Sequence, residues 1–286
     1  MQNKFILHYL SRPKVCPLPL GLGDFLRGLT NSHILCEKYD YEMKINKCSN
    51  DVFKNFKDVP EYECYDVSQT QIKEVYFTPD DVDTTINNLF KEQNKELNVY
   101  TNLASRNFNG NSFSLWPKVI PEKTLSYLKS ILQPTEYLKD LINSVLPNKK
   151  AYSVVHVRSG DADLFNGKPY DQNDHRTLDS KRLSILFELL NNVKTNDKLL
   201  LICDSEKFAN IIKNKYPDMI YINSEKSAIA CDCLTDQERA DTLVDFFAAA
   251  RANKIYSYSI YGISGFTYSA SKIFNVPFEG SGLGGL

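Results

Sequence analysis

Apolar and polar positions in the second half of the chain follow two alternating rhythms. "AYSVVHV", residues 151–157, and "KLLLICD", residues 198–204, are short apolar runs with little polar alternation. Such runs fit strands covered on both faces, as in a parallel sheet. Between them "TLDSKRLSILFELLNNV" repeats its apolar positions at helical spacing, with Thr177 or Asp179 available as N-cap. "SEKFANIIKNKY" then predicts a helix and "MIYIN" a strand. "DQERADTLVDFFAAARAN" predicts an amphipathic helix and "KIYSYS" a strand, and "GFTYSASKIF" predicts a helix that stops before Pro277. Strands and helices alternating at this spacing imply βαβ units in a doubly wound sheet.

The first half is less regular. "KFILHYL" and "YEMKIN" predict strands, "GDFLRGLTNSHILCEKY" a helix after a glycine turn, and "KEVYF" and "LNVYTN" later strands. "PEKTLSYLKSILQPTEYLKDLINSVLPN" is helical on both sides of Pro134, where Pro134 or Thr135 opens the second helix. "LPNKK", residues 146–150, is the linker candidate. The expected organisation is two α/β lobes, residues 1–148 and 149–286.

Composition narrows the function classes. The chain has 286 residues, 42% hydrophobic and 24% charged, enough for two cores. Its 34 basic and 35 acidic residues leave a formal net charge of −1, and no basic stripe stands out, so a nucleic-acid partner is not expected. Seven scattered cysteines argue against a disulfide framework and for a reducing compartment. Cys231 and Cys233 form a lone C-x-C, which is too little for a zinc site. Neither a signal peptide nor a run long enough to span a membrane is evident, so the protein is expected to be cytoplasmic.

Four clusters carry candidate chemistry. His156, Arg158 and Asp161 stand where the strand "AYSVVHV" gives out. A parallel sheet binds its ligands at such strand ends, and an arginine there forks onto a phosphate. In "PLGLGDFLRG", Gly21 and Gly23 precede a helix whose first turn carries Asp24 and Arg27. Glycines there bring backbone N–H groups close to a ligand, although the third glycine of a dinucleotide fingerprint is missing. Asp204 ends "LLLICD" and reads as a helix N-cap or a ligand contact. Finally, Asp245 lies in an apolar helix face, and the loop reaching Ser264, Gly265, Phe266 and Thr267 offers hydroxyls and backbone amides at a helix start.

In this order, these residues resemble the fucosyltransferase superfamily, which includes α1,2- and α1,6-fucosyltransferases, the nodulation fucosyltransferase and protein O-fucosyltransferases. "VVHVRSGD" resembles its H-x-R-x-x-D motif through His156, Arg158 and Asp161. "GLGDFLRGL" resembles its N-terminal glycine loop. "LVDFFAAARANKIYSYSIYGISGFTYSAS" resembles its last motif, although Ser264-Gly265-Phe266-Thr267 departs from a clean S-x-F-S.

The resemblance implies a GT-B-like α/β fold, two Rossmann-like lobes facing a cleft, with an acceptor-side N-terminal lobe and a nucleotide-sugar-binding C-terminal one. It implies an inverting, metal-independent glycosyltransferase that moves L-fucose from GDP-fucose to a glycan hydroxyl, without a cofactor. Arg158 would bind the β-phosphate and stabilise the charge on departing GDP. His156 and Asp161 would shape that loop or touch the donor. Asp245 and the Ser264–Phe266 region would hold guanine, ribose or phosphate. Asp24 is the first candidate for a general base, ahead of Asp163 and His175. Alternatives are a different GDP- or UDP-sugar, a non-catalytic nucleotide- or sugar-binding protein, a metal-dependent hydrolase built on His156, Asp161, Asp163 and His175, and a Rossmann dehydrogenase.

Overall fold

The computed structural model describes residues 5–9, 21–40, 42–46, 54–57, 96–99, 116–117, 119–146, 151–160, 178–222, 235–260 and 262–284. The chain divides into two compact units, Met1–Pro134 and Thr135–Leu286.

In the first unit, β1 (Phe5–Tyr9), β2 (Glu42–Asn46) and β3 (Glu96–Val99) form a parallel sheet in the order β2-β1-β3. Helix α1 (Leu22–Tyr39) buries Leu22, Phe25, Leu26 and Leu29. That spacing of three and four residues makes one apolar stripe. The helix ends at Asp40, which takes the left-handed conformation (φ 57°) and returns its N–H to the Cys36 carbonyl. Helix α2 (Glu122–Ile131) packs on α1 with Leu128 and Ile131 buried. The predicted strand at residues 73–77 lies outside the described residues.

The second unit opens with α3 (Glu136–Val145), whose N-cap Thr135 accepts from the Leu138 N–H. The sequence reading placed this helix with the first lobe. It is grouped with the second unit because it lies against a later helix, α6 (Asp236–Arg251). Tyr137 Oη donates to Gln237 Oε1 at 2.9 Å, and Arg251 Nη1 donates to Asn143 Oδ1 at 3.1 Å. Residues 147–150 of the linker candidate lie outside the described residues.

The core of this unit is a five-stranded parallel sheet. Its strands are β4 (Tyr152–Val157), β5 (Lys198–Cys203), β6 (Ile220–Tyr221), β7 (Ile255–Ser259) and β8 (Phe278–Gly282), in the order β6-β5-β4-β7-β8. The chain starts in the middle at β4, steps outward through β5 and β6, then returns to the other side of β4. The order therefore reverses between β4 and β7, and that is where open parallel sheets place ligands. All six residues of β4 and all five of β7 are buried, as strands covered on both faces of a sheet are.

One face of the sheet, with Val155, Val157, Leu201, Cys203, Tyr256 and Tyr258, packs in one cluster with α4 (Ser180–Asn191) and α5 (Glu206–Lys215). The opposite face meets α6 and α7 (Gly265–Phe274), with Tyr152 Oη donating to the Ala248 carbonyl at 3.0 Å. Asp179, rather than Thr177, caps α4 by accepting from the Arg182 N–H at 2.8 Å. Helix α6 opens on a full capping box between Thr235 and Glu238. It is not amphipathic as expected: Leu243 through Ala249 are all buried, because the sheet, α3 and α7 take up its surface. The strand read as "MIYIN" shrinks to Ile220–Tyr221, and β8, after the last predicted helix, is an addition.

Candidate functional site

Arg158 follows β4 directly, at the carboxyl edge of the sheet and beside the reversal of strand order. Its backbone N–H donates to the Tyr258 carbonyl at 2.9 Å, which extends the β4–β7 pairing by one bond and fixes where the side chain departs. The guanidinium Nη1 pairs with Asp204 Oδ2. The same carboxylate takes the Ser159 N–H at 2.7 Å, the Ser159 hydroxyl at 2.5 Å and the Gly160 N–H at 3.3 Å. Gly160 has φ 106°, a conformation that a side chain disfavours, so glycine lets the chain turn here.

Asp204 is thus not the helix cap that its position suggested. Ser205 caps α5, its hydroxyl accepting from the Phe208 N–H at 3.4 Å. Asp204 instead points across from β5 to the end of β4 and gathers the turn after it. Four donors on one carboxylate make a rigid mount for Arg158, since hydrogen bonds to a charged acceptor are the strong kind.

His156 lies one pleat back and is 3% exposed. Its Nδ1 is 3.3 Å from Ser257 Oγ on β7 and 3.2 Å from Thr267 Oγ1 on the first turn of α7. Thr267 Oγ1 also donates to Ser257 Oγ at 3.4 Å. The imidazole is therefore part of a buried polar cluster that ties α7 to the sheet. The ring of Phe266 sits 6.1 Å from that of His156 and edge-on to Phe246 of α6 at 5.8 Å. Its side chain is engaged in packing against α6 and His156.

The start of α7 supplies donors. Ser264 is its N-cap residue, and its side chain caps no N–H group. The first intrahelical N–H bond runs from Tyr268 to the Ser264 carbonyl, beyond the amides of Gly265, Phe266 and Thr267. Ser264 itself is buried, and so is Ser259 at the end of β7, whose Oγ has no hydrogen-bond partner among the described residues. Asp245 is buried in α6.

Asp24 and the glycines belong to the first unit. Gly21 is the residue before α1 with φ −59°, and Gly23 lies inside the first helical turn rather than ahead of it. Asp24 Oδ1 accepts from Arg27 Nη2 at 2.8 Å. Asp161, Asp163, His175, Cys231 and Cys233 lie outside the described residues. Among the described residues, no three His, Cys, Asp or Glu side chains cluster as metal ligands would, and no helix is long and apolar enough to cross a membrane.

The second unit thus assembles Arg158, Asp204, His156 and the α7 start at one sheet edge. Sequence reasoning read Ser159 only as part of the turn after Arg158, not as a donor to Asp204, and it missed Ser257 and Ser259. The alternation in "IYSYS", which sends both β7 serines to the side opposite Tyr256 and Tyr258, was the available signal for the last two.

No family model matches the chain, and no curated protein matches it in sequence. Solved structures do resemble it. The Bradyrhizobium fucosyltransferase NodZ is 14% identical, with 94% of this chain and 93% of that one covered at a TM-score of 0.56. NodZ α-1,6-fucosyltransferase co-crystallized with GDP is 15% identical over 94% and 92% of the two chains, at 0.54. A mutant of Arabidopsis thaliana FUT1 in complex with GDP is 13% identical over 96% of this chain and 70% of that one, at 0.53. At such identities the likeness is one of architecture, and this chain has the GT-B α/β fold of the fucosyltransferases.

Proposed function

We propose that this protein is an inverting glycosyltransferase that moves L-fucose from GDP-fucose to a glycan hydroxyl. The observation that carries the reading is Arg158, mounted on Asp204 beside the reversal of strand order and on the same edge as the amide-bearing start of α7. NodZ, which shares the fold, has been crystallised with GDP and soaked with GDP-fucose.

The chemistry asked of the site is charge compensation. As the bond between the sugar and GDP breaks, an electron pair stays with the diphosphate oxygen. Arg158 and the Gly265–Thr267 amides are held in place before that charge appears, so they stabilise it without reorganising. The helix start adds its own positive end. With these donors available to the leaving group, we read the reaction as metal-independent. The acceptor hydroxyl attacks the anomeric carbon from the face opposite GDP, which inverts the configuration. Its proton goes to a carboxylate or imidazole; Asp24 is our first candidate, ahead of Asp163 and His175. Gly21 and Gly23 would let α1 approach the donor, Asp161 would order the Arg158 loop, and Asp245 would serve the nucleotide from behind α7.

The test is GDP release from GDP-fucose in the presence of EDTA. Wild type should turn over with a glycan acceptor. Arg158→Ala should lose about 100-fold or more, as removal of one preorganised charge contact does. Arg158→Lys should recover only part, because an ammonium does not fork onto two oxygens. Full activity in Arg158→Ala would remove the central assignment.

A further inference from the structure

The last residues of the chain hold a structural relation that the reaction above does not use. Strand β8 runs parallel to β7 in the register Ser257↔Gly280 and Ser259↔Gly282, and α7 is the connection between the two strands. The tail after β8 then comes back to the loop that launches α7. The Ser259 carbonyl accepts both the Gly262 N–H at 3.1 Å and the Leu283 N–H at 2.8 Å, and the Leu283 side chain is fully buried.

Around these bonds the backbones touch through glycine. A Cβ on Gly280 would stand 2.5 Å from the Gly262 carbonyl oxygen, 3.0 Å from the Phe278 ring and 3.2 Å from Ile263 Cγ1. A comfortable carbon contact lies near 3.5 Å, so strand or loop would have to give by about 1 Å. The obstacle at Gly262 is backbone and has no rotamer to escape into. Gly262 itself has φ +79°, and its own Cβ would reach Gly282 N at 3.5 Å. A Cβ on Gly284 would come to 3.1 Å from the Ile260 carbonyl. Glycines 280, 282 and 284 therefore alternate along the tail, each against the backbone of Ile260 or Gly262.

That loop leads within two residues to Ser264 and the α7 amides. We infer that the segment from Gly280 to Gly284 is a positioning element for the nucleotide: it clamps Ile260, Gly262 and Ile263 and so sets where the start of α7 presents its N–H groups to a diphosphate. The clamp acts through the loop, and no tail residue needs to touch the ligand. The inference rests on the nucleotide reading of α7 given above. It also accounts for a run of small residues at a sheet edge, where β-branched side chains would otherwise favour pairing.

The test uses the full chain with Gly280→Ala, beside Leu190→Ala as a control that removes core volume under α4 on the opposite face. Two quantities are read well below both unfolding temperatures: the Kd for GDP and amide hydrogen exchange at residues 262–267. Gly280→Ala should weaken GDP about tenfold, in line with the cost of small misplacements in binding geometry, and speed exchange at those amides. Leu190→Ala should leave both unchanged relative to wild type.

If Gly280→Ala matches wild type in both, or if Leu190→Ala produces the same pair of changes, the positioning role is overturned while the transferase reading stands. If wild type itself binds no GDP, the transferase reading falls. Exchange at 262–267 then decides the clamp alone, and unchanged exchange overturns it. Should Gly280→Ala not fold, Gly284→Ala carries the same comparison with a smaller expected effect, and its equivalence to wild type overturns the inference.

Discussion

Asp204 shows how much one carboxylate decides. Its two oxygens receive a guanidinium, two backbone N–H groups and a hydroxyl, all from the three residues that follow β4. With that side chain 13% exposed and Arg158's 26% exposed, the pair is shielded enough for its charge to matter. Asp204→Asn keeps the shape but exchanges one acceptor oxygen for a donor, and every partner is itself a donor. At least one N–H group then faces another, at a cost of about 2 kcal/mol. We expect the urea midpoint to fall accordingly, and GDP binding to weaken beyond that loss of stability because Arg158 is no longer mounted. An unchanged midpoint would show that the turn holds itself without the carboxylate. The sequence displayed Asp204 and Ser205 side by side but not which of them caps α5. That choice depends on where the β4 loop passes, a tertiary fact with no local signature.

At the scale of elements, α1 and α2 meet across His33. Its Nδ1 lies 3.1 Å from Thr124 Oγ1, and its ring stacks on Tyr127 with centroids 4.2 Å apart. Burial lowers the His33 pKa below 6.5; Glu37 opposes that shift, and Lys123, which pairs with Glu37, adds to it. The unfolded chain therefore takes up a proton at a higher pH than the folded one. Stability from this contact is complete above about pH 6.5 and is lost as pH falls from there toward the lower folded value. Thermal unfolding from pH 8 to pH 5.5 should show wild type losing more stability than His33→Gln across that window. Parallel curves would assign the acid sensitivity to carboxylates instead. The helices on either side of His33 were readable from spacing alone, since α1 places Leu22, Phe25, Leu26 and Leu29 on one stripe. Their contact was not, because His33 ends the polar run Thr30–His33 and its partners lie 91 and 94 positions later in sequence. Strand β8 escaped for a different reason: "FEGSG" has neither an apolar run nor alternation, and it pairs because glycine lets its backbone reach β7 and the loop before α7.

For the whole molecule, the doubly wound order of the second unit followed from the alternation of strand and helix, and that order marks the edge where open parallel sheets place ligands. A formal net charge of −1 offers no general attraction for an anion, so affinity for a nucleotide must come from the local set at that edge. Nucleotides should therefore be distinguished by what they place there. A ligand that binds only the folded chain at 100 times its Kd stabilises by about 2.7 kcal/mol, and each kcal/mol lifts Tm by about 2–4 °C in a domain of 150–250 residues. A screen of GDP, UDP, ADP and NAD, each with and without EDTA, should raise Tm by about 5–10 °C with GDP, equally in both conditions. On the proposed role of Arg158 at the diphosphate, Arg158→Ala should lose most of that rise. A larger rise with UDP would keep the edge as the site and change the donor. A rise abolished by EDTA would transfer the diphosphate's charge from Arg158 and the α7 amides to a bound ion, and the reaction with it.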